Sequence, residues 1–247
     1  MQQELKDQRI NHLISLFTNG LVEECLREAQ KLIKIYPGEP FIFNIIGITN
    51  ASLGKFNDSI KNYQKAISLN PSYIEVYNNI GVAYNGWKKH EKAIKYLDKA
   101  INLNPAYADA FNNRGNVYKE LGKNEDAIQD YEKALELNQD FEVAKVNLAL
   151  CNSAVGRYVK AERLLRDLLS KYPDKLVYKY YLADVLYNLK KYDGALVELS
   201  EHEKLKEKDN KVLNLFGKIF QKLEDESAEK YYQEALLKDD KDFEVLN

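Results

Sequence analysis

Three asparagines, Asn79, Asn113 and Asn147, recur at intervals of 34 residues. A side-chain amide donates to a carbonyl and accepts from an N–H at once, so a row of amides can grip a peptide backbone. Packed helices stand about 8–10 Å apart and an extended chain advances about 3.3 Å per residue, so one amide per helix pair meets roughly every third residue of a bound strand. The competing use of the same amides is to bond neighbouring helices. Asn78, Asn112 and Asn116 flank the first two members of the row. Further along the chain, Tyr180, Tyr181, Asp184 and Tyr187 repeat at helical spacing, followed by Lys218. Aromatic and apolar residues on an open face are partner anchors.

Other residue types assemble no site. His12, His90 and His202 fall at unrelated helix places, and Cys25 and Cys151 are too few and too distant for a disulfide framework. Both cysteines read as buried thiols. The sequence has no glycine-rich phosphate loop, His-Glu-x-x-His, Cys-x-x-Cys or nucleophile elbow. No catalytic residue, metal or cofactor is therefore expected, and the chain reads as non-enzymatic. Its 247 residues, 45% of them hydrophobic, suffice for a packed core, and a net charge of −2 gives no bias toward nucleic acid or membrane. The start lacks an apolar h-region and no stretch approaches a membrane span, so a cytoplasmic location is expected.

The elements that must position these residues are clearest between Pro71 and Leu137. There Tyr77, Ile80, Gly81, Tyr84, Ala93 and Ala100 return 34 residues later as Phe111, Arg114, Gly115, Tyr118, Ala127 and Ala134. A fixed period of this size signals a solenoid of repeated units. Extended outward it gives units of approximately 6–39, 40–73, 74–107, 108–141, 142–175, 176–209 and 210–243, with 244–247 starting an eighth. Each unit reads as two helices. Proline closes several of them, at Pro37, Pro71, Pro105 and Pro173, because it cannot continue a helix and suits the start of the next. Ser72 and Glu75 form a capping-box pattern. In the first helix of each unit one place reads Leu13, Gly47, Gly81, Gly115, Ala149, Ala183 and Gly217. Glycine inside a helix costs about 1 kcal/mol against alanine, so a close helix contact is expected, with Ala93 and Ala127 as its partners.

These residues resemble the tetratricopeptide repeat, a 34-residue helix–turn–helix unit with small and aromatic residues at fixed places. The resemblance covers roughly residues 6–243, with the first, sixth and seventh units degenerate. It implies an all-α, right-handed superhelical solenoid of antiparallel helix pairs, whose first helices line a concave groove for a protein or extended peptide. The asparagine pattern is similar to that of the repeat region of O-GlcNAc transferases. The carboxylate clamp of chaperone-binding members is disfavoured, because Val143, Asn147, Val177 and Tyr181 stand where cations are needed.

Opposite the packed face, the free side of the third unit carries Glu75, Asn78, Asn79, Val82, Asn85 and Gly86. The second unit offers Phe41, Ile45 and Ile48, the fifth Val143, Val146 and Leu150, and the seventh a basic stripe of Lys211, Lys218 and Lys222. Packing between units competes with partner binding for Ile45 and Tyr181. Trp87, in a leucine place, reads as core. His202 and the charged run 201–211 predict a second helix that is longer, frayed or shifted, and a one-residue loss near Glu224 predicts a shortened turn. The leading reading is a binding scaffold. Its rivals are an accessory domain of a larger glycosyltransferase, sulfotransferase or oxygenase, with the chain a fragment, and a self-assembling module stacking through an uncapped C-terminal end.

Overall fold

The computed structural model describes residues 2–204 and 209–244, and every regular element among them is an α-helix. In chain order these are α1 (Gln2–Thr18), α2 (Val22–Ile35), α3 (Pro40–Ser52), α4 (Phe56–Leu69), α5 (Ile74–Gly86), α6 (His90–Leu103), α7 (Ala108–Glu120) and α8 (Asn124–Leu137). Then come α9 (Glu142–Ala154), α10 (Tyr158–Lys171), α11 (Leu176–Asn188), α12 (Tyr192–Glu203), α13 (Asn210–Lys222) and α14 (Ser227–Glu244). Consecutive helices pair antiparallel, α1 with α2 through α13 with α14. The chain gathers into two compact units, Met1–Gln139 and Asp140–Asn247. Residues 245–247, where an eighth pair is expected to begin, lie outside the described residues.

Small residues let the pairs close. Ala66, Ala93, Ala100, Ala127 and Ala134 are fully buried. The recurrent glycine of the first helix has a different partner from the one expected. A Cβ at Gly47 would lie 2.4 Å from Tyr63, at Gly81 2.5 Å from Leu97, and at Gly115 2.8 Å from Tyr131. The contact is thus a large side chain of the second helix seated in a glycine gap, not alanine against glycine. Ala93 and Ala127 sit one turn earlier and fill their own buried places. Density inside a protein approaches that of an organic crystal, so a knob of this size needs a hole.

Within each pair the second residue of the turn takes a left-handed backbone: Gly20 (φ 76°), Gly54 (70°), Gly122 (72°) and Gly156 (78°), but also Lys88 (58°), Lys190 (62°) and Glu224 (57°). A side chain there is strained by about 1–2 kcal/mol, which glycine avoids at some cost in unfolded-state entropy. Lys190→Gly is expected to raise stability by about 0.5–1 kcal/mol, measured by urea unfolding.

Two local expectations are corrected and a third falls largely on residues outside those described. Ser72 does not cap α5; its N–H and hydroxyl both donate to Asn70 Oδ1, at 3.2 and 2.9 Å, and the helix begins later, at Ile74. An Asx turn has taken the serine. The helix carrying His202 is described to Glu203, and residues 205–208, where it is expected to be longer, frayed or shifted, lie outside the described residues; His202 Nε2 lies 3.0 Å from the Leu176 carbonyl oxygen. The turn before α14 is longer than the others, not shorter. The missing residue is taken from the helix, which starts only one residue before Ala228, behind an Asp225 carboxylate that accepts from Ser227 N at 2.8 Å.

One charged cluster is built into residues 2–139. Arg114, on the packed face of α7, donates through Nε and one terminal nitrogen to both Asp130 oxygens (2.8 and 2.6 Å) and through the other to Asp98 (2.6 Å). The Asp130 side chain is only 6% exposed. Asp130 and then Asp98 hold the guanidinium proton even more firmly than usual, while burial pushes the Asp130 carboxyl up against the pull of Arg114.

Candidate functional site

In residues 2–139 the asparagines on the first helices are tied to one another. Asn79 Nδ2 donates to Asn44 Oδ1 at 3.1 Å, and Asn113 Nδ2 donates to Asn78 Oδ1 at 2.9 Å. Longer contacts complete the relay: Asn78 to Asn79 at 3.5 Å, Asn112 to Asn113 at 3.4 Å, and Asn44 to the Tyr73 hydroxyl at 3.4 Å. The two short bonds cross from α5 to α3 and from α7 to α5, the later amide donating in each to an amide oxygen of the pair before it. Asn78 and Asn112 are both 6% exposed. That corrects their placement on a free face: the Asn78 amide is spent inside the protein, while Asn112 Oδ1 is buried with no hydrogen-bond partner among the described residues. Asn79 and Asn113 remain half-buried, each with a second N–H beyond its relay bond. Asn116 accepts from the Tyr131 hydroxyl at 2.8 Å. Asn113→Ala leaves Asn78 Oδ1 without its donor, and a loss of about 1–3 kcal/mol is expected in thermal or urea unfolding.

The rim of the same face is polar. Glu120 accepts from Asn85 and from Lys88, both at 2.8 Å, and His90 Nδ1 lies 2.9 Å from Asn85 Oδ1. These contacts hold the Glu120 carboxyl below the usual carboxylate range, Lys88 contributing most. Ile45 is buried in the core, which decides in favour of packing at that place. Trp87 is half-buried, stacked between Phe56 and Tyr84, with Lys89 Nζ 3.1 Å from its ring centroid.

Residues 140–244 present a different surface. On α9, Val143 is exposed and Val146, Asn147 and Leu150 are half-buried. On α11, Val177 is exposed and Tyr180, Tyr181, Asp184 and Tyr187 are half-buried. The rings of Tyr180 and Tyr181 tilt together with centroids 5.7 Å apart, and Tyr187 meets Tyr192 at 5.8 Å. Tyr180, Tyr181 and Tyr187 rest on the core with part of each ring in solvent. The Asp184 carboxylate has no hydrogen bond or ion pair among the described residues, although the Asp184 carbonyl accepts from Asn188 Nδ2 at 2.7 Å. Burial pushes its carboxyl up, and Lys218 pulls the other way. A cleft of about 350 Å³ opens between Val177, Tyr180, Tyr181 and Val212, with Lys211 and Asp209 at its edge. Lys211, Lys218 and Lys222 are all exposed on α13, whereas Leu215 is in the core.

Among the described residues no group of histidine, cysteine and carboxylate side chains could hold a metal ion, and no helix is long and apolar enough to cross a membrane. Cys25 and Cys151 are buried free thiols.

Models of the tetratricopeptide repeat match residues 108–141 and 149–202, and a TPR repeat model matches 50–85 and 88–122. No curated protein sequence matches the chain. Among solved structures it is similar to a tetratricopeptide repeat protein from Parabacteroides merdae, with 22% identity, TM-score 0.66, and coverage of 93% of this chain and 91% of that one. It is also similar to PilF of Pseudomonas aeruginosa, with 20% identity, TM-score 0.73, and coverage of 85% and 96%. A third neighbour is YrrB, described as a TPR protein with an unusual peptide-binding site, with 19% identity, TM-score 0.56, and coverage of 71% and 94%.

Proposed function

This chain belongs to the tetratricopeptide repeat family, and from that premise we propose that it is a scaffold without catalysis of its own, holding a protein or an extended peptide against its first helices. The observation that carries the reading is the row of half-exposed tyrosines on α11, Tyr180, Tyr181 and Tyr187, beside the unpartnered Asp184 carboxylate. Large rings that rest on a core yet keep part of their surface in water are desolvated cheaply by a partner. Lys218, across from Asp184, adds a charge that a partner can read. The asparagine row takes a supporting part. In Asn79 and Asn113 the relay fixes which way the amide points, and each keeps one N–H for a bound backbone; Asn116 lies on the same helix as Asn113, and Asn147 is counted with the surface of residues 140–244. The peptide-binding site in the description of YrrB is consistent with this use of the fold.

Selection of displayed random dodecapeptides on the full chain tests the proposal. Enriched peptides are expected to lose about tenfold or more in affinity for Tyr180→Ala/Tyr187→Ala, the scale of one interface anchor. They should bind Val197→Ser normally, since Val197 lies exposed on α12, a second helix. Failure to enrich any peptide, or equal binding by the tyrosine variant, refutes the reading.

A further inference from the structure

Several lysines of residues 140–244 are paired and three that share one helix are not. Lys145, Lys171, Lys175, Lys179 and Lys191 each have a carboxylate partner: Asp167, Asp140, Glu142, Glu201 and Glu162 respectively. Lys211, Lys218 and Lys222 have no ion pair among the described residues, although all three are exposed on one helix. They stand seven and four residues apart, which on a helix rising 1.5 Å per residue puts them in one row with gaps of about 10 and 6 Å. The row starts at Lys211, on the edge of the apolar cleft lined by Val177, Tyr180, Tyr181 and Val212. Two carboxylates face this region. Asp209 is spent at the start of α13, where it accepts from Lys211 N at 2.7 Å, and Asp184 opposes Lys218 from α11. Asp209 keeps its charge beside Lys211 in the cleft, whereas Lys222 has no carboxylate partner among the described residues; the cleft has room for an apolar side chain.

We propose that this face docks an acidic peptide segment, with one apolar side chain in the cleft and carboxylates laid along the lysine row. The inference rests on the scaffold reading above and adds the partner's chemistry to it. An extended strand advances about 3.3 Å per residue and its side chains alternate faces, so acidic residues two positions apart, about 6.6 Å, lie on one face and are met by the long lysine side chains. The segment therefore has the form apolar, spacer, acidic, spacer, acidic, spacer, acidic. Asp184 works against it: its charge lies beside Lys218 and competes with the middle carboxylate of the partner.

The test uses three fluorescein-labelled synthetic peptides on the full chain. The first reads Ser-Leu-Ser-Glu-Ser-Glu-Ser-Glu-Ser; the second has Gln and the third Lys in place of each Glu. Anisotropy titration at low salt is expected to show the acidic peptide binding about tenfold or more tighter than the Gln peptide, with the Lys peptide weakest. The preference should fall to about twofold or less in Lys211→Ala/Lys218→Ala/Lys222→Ala and increase in Asp184→Asn, both variants keeping the wild-type melting profile. Equal binding of the Glu and Gln peptides overturns the acidic-partner inference and leaves the scaffold reading standing. Binding by none of the three peptides, together with no enrichment from the random library, overturns both. A preference that survives in the triple lysine variant assigns the charge reading to another surface and also overturns the inference.

Discussion

Arg114→Met is expected to cost about 3–5 kcal/mol of stability, because it leaves the Asp130 carboxylate buried without its cation. The magnitude follows from an asymmetry. Making a buried ion pair gains little over an apolar pair, since desolvation offsets the attraction, but removing one member strands the other in a medium that cannot solvate it. The chain carries its own apolar alternative. One period earlier the same two places hold Ile80 and Tyr96, with Ile80 buried and Tyr96 packed against the same core. Arg114→Ile combined with Asp130→Tyr is therefore expected to return to within about 1 kcal/mol of the wild type, or to exceed it. Asp98, whose side chain is 43% exposed, can be hydrated when its partner is lost. Urea midpoints at constant slope measure both variants. A single substitution that costs under about 1 kcal/mol would show that the pair is not stabilised in the way its burial implies.

The second large effect concerns the glycine gaps. Tyr63 is 2% exposed and fills the space where Gly47 has no side chain. Tyr63→Ala should cost about 3–5 kcal/mol through lost burial and the cavity left behind. Gly47→Leu should cost about 1–3 kcal/mol or more, because the ring cannot retreat from a Cβ placed 2.4 Å away. The two defects are complementary in shape, so the double variant should cost less than the sum, with a coupling of at least about 1 kcal/mol. Additivity within about 0.5 kcal/mol would mean that the two residues do not share one space.

Much of this was legible as period. The helices, their pairing and the small places follow from residues that recur every 34 positions, because a repeated unit must solve the same packing problem each time. The partner of each glycine was not legible. Sequence shows that Gly81 and Ala93 are both small, but only the depth of the helix crossing decides that Leu97 fills the gap. Arg114 was visible as a charge among apolar neighbours, yet Asp130 and Asp98 come from two different helices, and nothing in the pattern marks them among the many acidic residues. Gly20, Gly54, Gly122 and Gly156 carried a readable signal at the same period that went unread, since Lys88, Lys190 and Glu224 interrupt it. The asparagines were the hardest case. An amide on a helix face is chemically equal to bonding inward or outward, and neither composition nor spacing distinguishes Asn79 reaching Asn44 from Asn79 reaching a guest.

The inward choice has a mechanical result. Within residues 2–139 the amide bonds Asn79 to Asn44 and Asn113 to Asn78 act as short tethers between successive first helices. Spreading α3, α5 and α7 apart on that side breaks one tether per step along with the apolar contacts beside it. Bringing them closer is opposed by the same amides in compression. Elasticity under load should therefore be governed there in part by a polar seam, and substituting its asparagines should soften the spring before it changes what the surface binds.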